Sequence, residues 1–137
     1  MYSAYRNCTN LTGSPVCGDK VTSMANTYVN CYNLTGSPVC GPNVTHMYGT
    51  YQNCYNLAGD NIYIYSNNVS NATNCFYGKN NSRIYNIHIS ANSVSWNTFI
   101  RSSYNSIVGE PITWTIDTNG CYYNTAYNIY LYPDTSM

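Results

Sequence analysis

Few side chains in this sequence could do chemistry, and most of them stand apart. Its five carboxylates are Asp19, Asp60, Glu110, Asp117 and Asp134, with no pair at a fixed spacing. General acid–base or glycosidase chemistry needs two carboxyl groups held at a defined separation. His46 and His88 are solitary, without a Ser, Cys or carboxylate beside them that would make either a general base. The seven cysteines fall at 8, 17, 31, 40, 54, 75 and 121. They include no C-x₂-C pair, and the histidines form no H-x₃-H, so no zinc pattern is present. Seven N-x-S/T triplets accompany an Asn, Ser and Thr content that produces several by accident. The expectation is therefore no enzyme, no cofactor and no metal.

Tyrosine is the one chemically expressive type in excess: there are 17 Tyr against 22 Asn. Rigid amphipathic rings set among short amides give contact area at low entropic cost, as in antibody paratopes. Ile62 and Ile64 alternate with Tyr63 and Tyr65, which in a strand places the Ile pair on one face and the Tyr pair on the other. Tyr63, Tyr65, Tyr85, His88 and Trp114 are expected to project from strands as a ligand-binding ridge. The competing reading is that such rings merely stabilise a sheet through cross-strand pairs.

The elements that must hold these residues are β-rich. Tyr and Thr favour strands and Asn favours turns, while the strongest helix formers are scarce. At 137 residues the chain suits one domain. Its net charge is zero and only 7% of residues are charged, which excludes electrostatic capture of nucleic acid. No apolar run approaches the length of a membrane-spanning helix, so no membrane insertion is expected.

An internal repeat organises the first half. Residues 1–23 and 24–46 share fifteen identities without a gap, and 47–69 begin in the same way. Met1, Met24 and Met47 recur in phase, as do Cys8, Cys31 and Cys54, and Leu11, Leu34 and Leu57. A unit of 23 residues cannot bury its own apolar face and must stack on neighbours. Val44, Met47, Tyr51, Cys54 and Leu57 step by three and four, as in a short helical or 3₁₀ turn. In ungapped register Cys17 and Cys40 share the outward Tyr63 column. Neighbouring strands lie close enough for a Cys17–Cys40 disulfide, although side-by-side parallel geometry suits one poorly.

Val21-x-x-Met24-x-x-x-Tyr28-x-x-Cys31-x-Asn33-Leu34-Thr35 resembles the unit of the BspA-like leucine-rich repeat, a bacterial surface-protein family. The resemblance covers residues 1 to about 60 and fades afterwards. It implies a right-handed solenoid used for adhesion or recognition, with Cys8, Cys31 and Cys54 in a buried column. The expected fold is thus a mainly β, leucine-rich-repeat-like solenoid of about 23 residues per coil. Residues 1–106 would form the coils and 107–137 a C-terminal β-hairpin or cap. Met1 already occupies the Met column, which fits a natural start or, the reading favoured here, a piece of a longer repeat protein. Strands are expected at Ile84–Ile89, Ile112–Ile116 and Tyr127–Tyr132, with a hairpin turn at Asp117–Gly120.

The functional expectation is a non-enzymatic recognition or adhesion module of a surface or secreted protein. Its partner would be a host or cell-surface protein or a glycan. The alternative is a virion component, a phage tail fibre or receptor-binding segment. The location is accordingly extracellular or cell-surface, or else the virion, and self-association into a homo-oligomer is open.

Overall fold

The computed structural model describes residues 1–58 and 60–137. Among the described residues six strands form one mixed sheet in the order β1-β2-β3-β6-β5-β4. They are β1 (Val39–Cys40), β2 (Ile62–Ile64), β3 (Tyr85–Ser90), β4 (Thr115–Ile116), β5 (Tyr122–Asn124) and β6 (Ile129–Asp134). β1, β2, β3 and β6 run parallel. β4, β5 and β6 form an antiparallel meander. The single helix among the described residues, α1 (Val94–Phe99), has six residues and is capped by the Ser93 side chain, which accepts from the Trp96 N–H.

The leucine-rich-repeat solenoid expected from the sequence is corrected by this sheet. Residues 1–23 contribute no strand, and the second unit contributes only the two residues of β1. Pro15 and Pro38 lack the N–H a ladder requires. The sheet instead grows by recruiting the C-terminus: β6 lies beside β3 in six-residue register, and β5 and then β4 are added antiparallel, β5 to β6 and β4 to β5. α1 lies outside the clear repeat. The expected strand at Ile112–Ile116 shrinks to Thr115–Ile116, while Ile112 turns into the core.

What the repeat builds is a flank of turns lying side by side. The N–H groups of Ser3, Tyr5 and Asn7 donate to the carbonyls of Ala25, Thr27 and Val29, and those of Asn26, Tyr28 and Asn30 donate to Tyr48, Thr50 and Gln52. Tyr5, Tyr28 and Tyr51 stack with centroids 5.5 Å apart, and Phe76 continues the pile at 5.9 Å. The Tyr28 and Tyr51 hydroxyls donate to the carbonyls of Val16 and Val39. Asn7, Asn30 and Asn53, all with φ near 60°, form an amide column in which Asn30 Nδ2 donates to Asn7 Oδ1 at 2.8 Å and Asn53 Nδ2 to Asn30 Oδ1 at 2.9 Å. Asn is among the few L-residues that adopt this left-handed conformation readily.

The core lies between the flank and the inner face of the sheet. Met24, Met47, Leu34, Leu57 and Val44 meet Ile62, Ile64, Ile87, Ile89, Ile129 and Leu131 there. Cys31, Cys54 and Cys75 are buried, whereas Cys8 is only half-buried because it belongs to the outermost turn.

Candidate functional site

Alternation along β2, β3 and β6 sorts their side chains cleanly. Ile62, Ile64, Ile87, Ile89, Ile129 and Leu131 point inward. Tyr63, His88 and Tyr132 are direct register partners on the other face. Their rings stack: Tyr63 on His88 at 4.9 Å and His88 on Tyr132 at 5.0 Å, with planes within 20° of parallel. Tyr65 lengthens the row by stacking on Tyr63 at 5.7 Å. A second row runs beside it. Asn86, Tyr130, Tyr123 and Thr115 are in register, the Tyr123 and Tyr130 rings stack at 5.5 Å, and the Tyr132 hydroxyl donates to Asn86 Oδ1 at 3.0 Å.

Stacking decides what the first row offers to solvent. In the interior of the row each ring face is covered by a neighbour, so the exposed parts are ring edges, phenol oxygens and imidazole nitrogens. Tyr65, at the end, is 52% exposed, and Tyr63, His88 and Tyr132 are half-buried. Asp134, opposite Ser90, is held by the Ser136 hydroxyl and N–H, which together with nearby His88 keep its carboxyl below the usual carboxylate range. Burial raises the Tyr132 phenol above its ordinary pKa, with Cys121 adding to the rise.

Three of the five expected ligand-binding residues come together: Tyr63, Tyr65 and His88. Tyr85 does not join them. It is buried, because it shares the parity of Ile87 and Ile89, and a period of two forbids Tyr85 and His88 from facing the same way. Its ring meets Phe76 edge-on at 5.2 Å and lies beneath Lys79 Nζ at 4.4 Å. Trp114 stands just before β4, removed from the row, with its ring edge-on to Tyr122 at 6.5 Å. Its indole N–H is buried without a hydrogen-bond partner among the described residues. Tyr132, Tyr130, Tyr123 and Asn86 went unassigned from the sequence. The alternation Ile129-Tyr-Leu-Tyr132 carried the parity of Tyr130 and Tyr132, but nothing local showed that this strand would pair with β3.

The Cys17–Cys40 disulfide does not form, and all seven cysteines are free. Cys40 pairs with Ile64 rather than Tyr63. Leu57 to Ile64 is one residue longer than Leu34 to Cys40, and a one-residue slip moves a side chain to the opposite face. Cys40 consequently points into the core, where burial pushes its thiol up to about 12. No group of three or more His, Cys, Asp or Glu among the described residues is placed to hold a metal ion.

Lys79 was not singled out from the sequence, yet it is the one buried Lys or Arg among the described residues. Its ammonium donates to the carbonyls of Asn80 at 3.1 Å and Tyr127 at 2.7 Å, and also to that of Arg83. All three protons are thus committed to tying the 79–83 loop to the approach of β6. Burial pushes the amine down to about 8. Beside it, the Tyr127 hydroxyl donates to Glu110, and burial together with that carboxylate pushes the phenol up to about 12. Comparison with known proteins found no matching family model, curated protein or solved structure.

Proposed function

We propose that the protein is a non-enzymatic recognition module that binds a protein partner through the Tyr65–Tyr63–His88–Tyr132 face. The observation that carries this reading is the stacked row itself, in which preordered rings lose little conformational entropy on binding. Within the row its outward groups are edges and hydroxyls rather than free ring faces. Such a surface matches the backbone and side-chain polar groups of another protein better than the C–H face of a sugar. Tyr is also among the residues that most often dominate interface energetics. The same proposal places the module on a surface or secreted protein, where burial shields every thiol except the half-buried Cys8 from oxidation.

The test is a protein array probed with the full chain and with Tyr65→Ala and Tyr63→Ala variants. Partners bound through this face should lose about tenfold or more in affinity to each variant, the effect of removing one hot-spot ring. Thermal melting of the variants checks that the sheet survives. Identical binding by all three proteins would remove the face from the binding function.

A further inference from the structure

We infer that the chain carries a second, separate site, a cleft for a neutral oligosaccharide between three adjacent segments of the flank. Tyr48, Gln52, Asn74, Tyr77, Tyr104 and Asn105 line a cleft of about 550 Å³, within the range of small-ligand sites. It neither depends on nor overlaps the sheet face. Gly49 N–H donates to the Thr73 carbonyl at 2.9 Å, and Asn74 N–H to the Ser106 carbonyl at 3.1 Å, so backbone bonds fix the three segments in place. Thr73 Oγ1 adds a bond to the Asn105 carbonyl at 3.3 Å.

Two observations select the ligand class. First, Tyr48, Tyr77 and Tyr104 are 41%, 48% and 74% exposed, and none of the three stacks on another ring among the described residues. No other described ring covers them, unlike the rings of the sheet row. The negative face of a π system attracts the partly positive C–H groups on the flat side of a sugar ring. Gly109 lets this wall pack closely, since a Cβ there would lie 2.0 Å from Asn74 Oδ1 and 3.0 Å from the Tyr77 ring. Second, the side-chain amides of Gln52, Asn74 and Asn105 make no hydrogen bond among the described residues. The Gln52 and Asn105 amides offer donors and an acceptor together, as a hydroxyl-bearing ligand requires, and Asn74, whose Oδ1 rests against Gly109, offers its NH₂. No lining residue is charged, which selects neutral sugars over sulfated or sialylated ones.

The experiment applies the full chain to an array of neutral, sulfated and sialylated glycans. In parallel, chitotriose and mannotriose are titrated into isotope-labelled protein. Neutral glycans should bind, and the side-chain amide signals of Gln52, Asn74 and Asn105 should shift. Tyr104→Ala should weaken binding about tenfold or more without changing the melting temperature, because that ring is largely in solvent. Tyr63→Ala should bind as well as the parent. Absence of neutral-glycan binding by either method, or a preference for charged glycans, overturns the inference. So does binding that is lost in Tyr63→Ala and kept in Tyr104→Ala; that result would assign sugars to the sheet face instead.

Discussion

Gly78 stands where the asparagine column would otherwise continue past Asn53. A Cβ there would lie 2.0 Å from Asn53 Oδ1, and the backbone has φ of +74°, so an L side chain is doubly disfavoured. Gly78→Ala should therefore destabilise the fold by more than about 1 kcal/mol, the cost of a non-glycine residue held at positive φ with a clash added. Urea unfolding checks this, and an unchanged midpoint would contradict the packing described at Asn53. At this scale much of the sheet face was legible, since Tyr63, Tyr65 and His88 follow from alternation alone. Tyr85 was misplaced although the same alternation excluded it from His88's face. Trp114 was misplaced because its neighbourhood depends on how the far edge of the sheet closes.

Short elements leave register to be set by distant partners. β1 has two residues and β2 three, too few for their own pattern to fix the pairing. The extra residue between Leu57 and Ile64 then decides that Cys40 faces the core. This is why the repeat revealed which residues recur but not which strand pairs with which. It also concealed the partner of β6, whose place beside β3 is a contact across more than forty positions of sequence. Leu34, fully buried against the flank and the sheet, tests how much the repeat contributes to the core. Leu34→Ala should cost about 2–5 kcal/mol in chemical denaturation, as core truncations do. A loss below roughly 0.5 kcal/mol, the scale of surface changes, would mean that its site is not interior.

For the molecule as a whole, scarcity of charge leaves alkaline titration of buried thiols and phenols as the main pH liability. Burial pushes Cys40 and Cys54 up to about 12 and also raises Cys31, Cys75 and Cys121, against an ordinary thiol value of 9.0. The folded chain keeps these protons while the unfolded chain releases them, so stability is full below pH 9.0 and falls as pH rises above it. Each thiol fully ionised only in the unfolded state contributes a slope of about 1.4 kcal/mol per pH unit. Lys79 works in the opposite sense: its amine is lowered to about 8 from 10.5, so its share of stability grows across that interval. One amine opposes five thiols, joined above about pH 10 by the raised phenols of Tyr28, Tyr51, Tyr85, Tyr127 and Tyr132. The urea midpoint should fall steadily from pH 9 to 11; a flat or rising midpoint would contradict the burial of these groups. The β-rich, weakly charged character of the whole was legible from composition. A C-terminal hairpin or cap was expected, but its joining to β3 through β6 was not legible, because that depends on long-range pairing.

The asparagine column has a direction as well as a position. Asn53 donates to Asn30 and Asn30 to Asn7, so the amide dipoles align head to tail and polarise one another. Asn30 is the relay, the one member that both gives and accepts. The run therefore ends in unlike poles: an uncommitted NH₂ on Asn7 facing water, and the Asn53 oxygen set against the bare backbone of Gly78.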